Sequence, residues 1–239
     1  LHSRTTVAEA LRLRSAGLNN CEISRRLDVS RSSIREWSRG RQPHSCVQPR
    51  RVIHDSGAYV YLLGLYLGDG CISVHPRGVY RLRITLDVRY PAIVDECEAA
   101  LQAVLPLNRV ARHLRQCNCY EVSAYSKSWP RLLPQHGSGK KHERKIVLAG
   151  WQRELVDRHP GLLLRGLIHS DGCRFVNTGR GGWRCPRYSF SNLSADIKQI
   201  FCDACDRLDV RWTAAPPKTI YVSRKADVAR LDEFIGPKR

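Results

Sequence analysis

Two stretches of this chain end alike. "LLGLYLGDG" (Leu62 to Gly70) and "LRGLIHSDG" (Leu164 to Gly172) are largely apolar and finish on an aspartate and a glycine. The two aspartates stand 102 positions apart (171 − 69). Val60 to Leu67 is too short and too interrupted to cross a bilayer, which takes roughly 20 apolar residues. It reads instead as a buried helix, apolar on most faces. Gly64 and Gly68 lie four apart on one face, and Gly166 and Ser170 repeat that spacing. Small residues at this interval let two helix backbones approach closely. Gly70 and Gly172 are expected to stop the helices in the left-handed conformation. Asp69 and Asp171 then fall at helix C-termini, where the macrodipole disfavours a negative charge. Two acids in matched unfavourable places imply something positive beside them, and a divalent metal ion is the first candidate.

The 239 residues carry a formal net charge of +18, spread along the chain. That is the footprint of a polyanion binder, above all of nucleic acid. No amphipathic anchor or lipidation signal supports a membrane partner. The start, "LHSRTTVAEA", has no apolar signal core, so the expected location is cytoplasmic and nucleoid-associated, in a reducing compartment. Ten cysteines then read as reduced thiols. Cys117 with Cys119 and Cys202 with Cys205 are spaced like metal ligands, but no further Cys or His pair completes a zinc set.

Residues 1–40 read as three short helices. Val7, Ala10 and Leu11 form an apolar stripe, Ile23 and Leu27 face inward from a second helix, and Ser30 caps a third with Ile34 and Trp37 inward. "EISRRLDVSRSSIREW" resembles the helix-turn-helix of recombinases, transposases and bacterial regulators. The resemblance implies that the second helix of the motif enters the major groove, with Arg31, Ser32, Ser33, Arg35 and Glu36 as readers. A plain three-helix packing unit with a basic face is the alternative. Residues 41–56, with two prolines and no periodicity, read as an extended linker lying on the DNA backbone.

From residue 57 the chain reads as a duplication, 57–150 with a connector and 151–239. Each apolar motif is followed by two strands, a helix, two more strands and a further helix, which makes the fold class α+β. Arg81, Arg83 and Thr85 in the first half, and Arg184, Arg187 and Ser189 in the second, are taken to alternate with apolar neighbours. One sheet face is then basic and polar and the other packs on helices.

These residues resemble a two-motif LAGLIDADG homing endonuclease, over all of 57–239, with a helix-turn-helix in front. The resemblance implies two αββαββα repeats whose motif helices pack at a pseudo-twofold axis, two sheets that straddle double-stranded DNA, and a monomer on a long asymmetric site. It implies Asp69 and Asp171 as catalytic metal ligands, with Gly68 and Ser170 beside them. The family's basic residue after the fourth strand of each half falls on Lys127 ("VSAYSK") and Lys225 ("YVSRK"). Leu67 and His169 depart from the first acid of the name motif, a position the family varies.

Two carboxylates near such an axis can hold cations that activate water and stabilise the leaving oxygen in phosphodiester hydrolysis. Mg2+ suits this chemistry, Mn2+ is expected to substitute, and Ca2+ to support binding without cleavage. Lys127 and Lys225 would steady developing charge. Two other readings stay open. One is a transcription regulator of the same fold that does not cut, the other an RNA-binding maturase, since fold does not fix function.

Overall fold

The computed structural model describes residue 2 and residues 4–41, 53–236 and 238, in two compact units divided at residues 50 and 51. The expected linker at 41–56 falls largely outside the described residues. Among those described, no helix is long and apolar enough to cross a membrane.

The first unit holds α1 (Arg4–Ser15), α2 (Asn20–Leu27) and α3 (Arg31–Ser38). Asn19 and Glu22 close a reciprocal capping box on α2, and Asp28 ends it in the left-handed conformation. Ser30 caps α3 as expected, its Oγ accepting from the Ser33 N–H at 3.2 Å. The core is Val7, Ala10, Leu13, Ile23, Val29, Ile34 and Trp37. Leu11 is exposed and Leu13 takes its place, because 7, 10 and 13 stay on one helical face while 11 turns away.

The second unit repeats one order of elements. Its first half runs α4 (Ser56–Asp69), β1 (Gly70–His75), β2 (Val79–Asp87), α5 (Pro91–Val104), β3 (Val110–Arg115), β4 (Cys119–Ser126) and α6 (Trp129–Leu132). After α7 (Gly150–Arg158), which the sequence did not announce, come α8 (Pro160–Asp171), β5 (Gly172–Thr178), β6 (Arg184–Ser191), α9 (Ala195–Arg207), β7 (Thr213–Ala215), β8 (Thr219–Val222) and α10 (Lys225–Asp232). Each half builds an antiparallel sheet of the same order, β1-β2-β4-β3 and β5-β6-β8-β7.

The core lies where α4 and α8 pack together. Tyr59 to Leu67 are buried without interruption, as a helix enclosed on all sides requires. A Cβ on Gly64 would lie 2.9 Å from Gly166 Cα, and one on Gly166 would strike the Tyr61 carbonyl. The backbones are therefore in contact, which answers why the small residues recur. α5 and α9 cover one face of each sheet, burying Ile93, Cys97, Ala100 and Val104 and, in the second half, Ile197, Phe201, Ala204 and Cys205 at helical spacing. Cys202 and Cys205 serve this packing, and burial pushes the Cys202 thiol up to about 11.

Candidate active site

The two motif helices end side by side. Gly70 and Gly172 do not adopt the expected left-handed stop. Their φ/ψ are −82°/146° and −118°/173°, so each passes directly from helix into strand. Glycine is needed there for room instead. A Cβ at Gly70 would lie 2.5 Å from Tyr66 Cα, and one at Gly172 would lie 2.8 Å from Ser189 O. At Gly68 a Cβ would strike Ser170 Oγ and come within 3.1 Å of Asp171 Oδ2. The bare backbone at 68 is what lets the second carboxylate approach the end of the first helix.

Asp69 is open to solvent and Asp171 half-buried. Both sit in a concavity crowded by protein, which weakens hydration of the charged form. Desolvation, then repulsion from Asp171, raises Asp69 to about 6 against the pull of Lys141 and Lys238. Asp171 is also raised by desolvation, but Asn192 Nδ2 donates to its Oδ2 at 2.6 Å and favours its charge. The two carboxylates titrate as a coupled pair, in which the charge on one opposes ionisation of the other.

The positive groups come from outside the motifs. Lys141 directs its ammonium at the carbonyls of Tyr66 (2.5 Å), Leu67 (3.0 Å) and Gly68 (2.6 Å). All three of its protons are engaged, and a cation is placed on the negative end of the α4 dipole. Burial lowers this lysine to about 8, although Asp171 and Asp69 favour its charge. Lys238 lies 3.4 Å from the Ser170 carbonyl, and burial lowers it too against the pull of Asp69. The carbonyls of Gly68 and Ser170, expected beside a metal, thus each face an ammonium. A carbonyl has a second lone pair, so a further partner is admitted.

Neighbouring contacts within the connector hold Lys141, and a residue remote in sequence holds Lys238. The connector that carries Lys141 is fixed by Gln135, whose Nε2 donates to Val147 O (2.9 Å) and Gln152 Oε1 (2.5 Å), while Arg144 Nη1 donates to Gln135 O. The segment that carries Lys238 is fixed by Arg165. Its guanidinium pairs with both oxygens of Glu96 (2.7 and 2.9 Å) and donates to the carbonyls of Phe234 (2.5 Å) and Ile235 (2.9 Å). His169 is buried within hydrogen-bonding distance of Tyr61 (2.9 Å), and burial lowers it to about 4, so it is neutral at physiological pH. A cleft of about 280 Å³ opens here, lined by Asp69, Tyr90, His169, Ser170, Cys173 and Lys238.

Lys127 follows β4 and Lys225 opens α10, and both are exposed. The cations that favour the charge of the two aspartates most strongly are Lys141 and Lys238. Lys141 and Lys238 occupy a matched place one step later, each beyond the helix that follows the fourth strand. The sequence concealed them because one lies in the polar run "KKHERK" and the other is the penultimate residue.

The other site candidates lie elsewhere. On β2, Arg81, Arg83 and Thr85 oppose the buried Leu82, Ile84 and Leu86. Arg187 and Ser189 take the open face of β6, but Arg184 does not share it. It is three residues from Arg187, and side chains alternate, so it belongs to the opposite face at the strand's exposed start. In the first unit Arg31, Ser32 and Arg35 are exposed. Ser33 is engaged in the α3 cap, and Glu36 pairs with Arg41 (2.9 Å) and Arg39 (3.7 Å).

Two αββαββα repeats, with helices packed glycine to glycine and each ending in an acid, define the two-repeat LAGLIDADG fold. No family model and no curated protein matches the chain. Solved structures do. The homing endonuclease I-DmoI in complex with DNA and Mn superimposes with a TM-score of 0.53 at 16% identity, covering 77% of this chain and 98% of that one. Mesophilic variants of I-DmoI give 0.52 at 16%, covering 76% and 96%. The N-terminal LAGLIDADG domain of DUF199/WhiA gives 0.48 at 14%, covering 81% and 87%.

Proposed function

We propose that this protein is a metal-dependent endonuclease that hydrolyses both strands of double-stranded DNA at a long asymmetric site, acting as a monomer. The observation that carries the reading is the pair of partly desolvated carboxylates at the ends of two packed helices. A structural role gives no reason to hold two acids where hydration, the dipoles and each other oppose their charge.

The residues fit a divalent cation. Asp69 and Asp171 are carboxylate ligands whose raised affinity for protons marks a place where positive charge is wanted. Among the described residues no group of three acid, cysteine or histidine side chains gathers to hold a metal. The remaining ligands would be the Gly68 and Ser170 carbonyls, water and DNA phosphate oxygens, as Mg2+ accepts, with Mn2+ substituting and Ca2+ supporting binding alone. When bound, such an ion supplies Lewis acidity and lowers the pKa of water. Lys141 and Lys238 hold the helix ends in place and offset the anionic charge that DNA brings. Lys127 and Lys225, exposed at strand-to-helix junctions, are assigned to phosphate contact. The open sheet faces with Arg81, Arg83, Thr85, Arg187 and Ser189 would lie on DNA grooves, and α3 with Arg31, Ser32 and Arg35 would add a flanking contact.

A regulator that binds DNA without cutting is the second reading. It is favoured by the separate three-helix unit, which hydrolysis does not require. Selection from a randomised duplex library in Ca2+, followed by transfer of the bound duplexes to Mg2+, decides between them. Double-strand products support the endonuclease, and intact duplex bound equally in both ions supports the regulator.

A further inference from the structure

The two open sheet faces are built from different chemistry. Gly70 pairs with Ile84 as Gly172 pairs with Phe190, so the two sheets can be aligned residue by residue. Arg187 stands where the first sheet has Arg81, Ser189 stands for Arg83, and Ser191 for Thr85. From the next strand Thr219 stands for Glu121 and Tyr221 for Ser123.

On the first face Glu121, its side chain only 7% exposed, gathers three arginines. Arg81 Nη2 lies 2.6 Å and Arg115 Nη2 2.7 Å from Oε1, with Arg83 Nη1 3.8 Å from Oε2. Arg81 also donates to Ser123 Oγ at 3.0 Å and lies over the Tyr125 ring at 5.4 Å. One carboxylate among three guanidiniums leaves the cluster positive and its arginines fixed before any ligand arrives. The second face has no acid at the matching position. Phe175 meets Tyr221 edge-on at 6.5 Å between ring centres, and Ser191 is bonded to Thr219 at 2.9 Å. Arg187 is the one arginine at its aligned positions.

We infer that the two faces select opposite base chemistry, so that the target is G·C-rich in the half read by the first sheet and A·T-rich in the half read by the second. This rests on the DNA-binding reading above. In the major groove guanine presents two acceptors, O6 and N7, to a guanidinium, whereas thymine presents a methyl group that apolar side chains contact. Arg81 spends both Nη2 protons on Glu121 and Ser123 and braces the carboxylate, which holds the exposed Arg115 in one geometry. That lowers the ordering cost of a bidentate contact from Arg115 and confines it to bases in register. Phe175 and Tyr221 offer an apolar surface of the kind a thymine methyl contacts, and the hydroxyls beside them accept or donate.

The test is a binding selection by the intact protein in Ca2+, from a duplex library randomised across the footprint, for wild type and three variants. Wild type should enrich a site with G·C pairs concentrated in one half and A·T pairs in the other. Arg115→Lys keeps the charge but loses the fork, so it should relax base preference in the G·C half alone, by about ten- to a hundred-fold at the affected pair. Glu121→Gln should relax the same half while raising affinity for unrelated DNA. Phe175→Ser, a change on an open face, should relax only the other half. Equal base composition in both halves overturns the inference. So does an Arg115→Lys protein that, with its thermal transition intact, loses affinity evenly for all sequences. DNA retained without the asymmetry leaves the nuclease reading standing, whereas no retention of any DNA removes both.

Discussion

Replacing Gly166 by alanine tests the packing on which the site depends. The added Cβ would strike the Tyr61 carbonyl and lie 3.0 Å from both Gly64 Cα and Leu65 N. All three are backbone atoms of α4, so no rotamer change makes room and the helices must separate. Overpacking of this kind costs about 1–3 kcal/mol, and alanine returns about 1 kcal/mol of helix propensity. Because the obstacle is backbone, the upper end applies, and a net loss of about 2 kcal/mol should lower Tm by about 4–8 °C in a chain of this size. Gly150→Ala is the control, since a Cβ there meets nothing within 4 Å. Thermal melts of both variants by circular dichroism decide the matter. A Gly166→Ala protein that melts within about 1 °C of wild type would refute backbone contact between α4 and α8.

Three further outcomes follow from the site and the first unit. Asp69, raised to about 6, stabilises the fold in its protonated form below the ordinary carboxylate range, and that stabilisation is lost as pH rises through 6. Without divalent cations, Asp69→Asn should therefore melt above wild type near neutrality and converge with it at about pH 4, and melts at both pH values check this. Lys141→Met leaves the last carbonyls of α4 uncapped and removes a cation beside the acids, so it should lower Tm by several degrees and cut single-turnover cleavage at least about tenfold, while Lys145→Met on the exposed connector changes neither. Deleting residues 1–50, which hold ten arginines against four acids, should leave cleavage chemistry intact but reduce the salt slope of binding by about 0.9 for every phosphate that the first unit neutralises. A titration of affinity against salt that keeps its full slope removes the first unit from the DNA interface.

The motif helices were legible because their signal is local. Apolar residues, small residues four apart and a terminal acid all stand within nine positions, twice. What stayed hidden depends on partners far along the chain. Lys141 and Lys238 reach the acids only because Gln135 and Arg165 anchor segments with no periodicity of their own. Gly70 and Gly172 suggested a left-handed stop, yet their purpose is to admit Tyr66, Ile168 and Ser189, which no turn rule can reveal. The stretch "VRWTAA" reads as a six-residue strand, but only Thr213–Ala215 pair. Trp212 donates to Asp206 and the Arg211 N–H to Asp227, holding the earlier residues off the sheet. Arg184 reads as alternating onto the face of Arg187 and Ser189, but three residues separate it from Arg187, and that odd interval puts it on the other face.

On the proposed reading, Asp69 and Asp171 serve chemistry and not affinity. Single-turnover cleavage of a selected duplex in Mg2+, measured beside its dissociation constant in Ca2+, tests this for wild type, Asp69→Asn and Asp171→Asn. Both variants should lose double-strand cleavage and keep affinity within about tenfold, because the acids hold the metal while the arginine faces hold the DNA. A variant that cuts both strands at the wild-type rate, or one that loses binding and cutting together, would contradict the account.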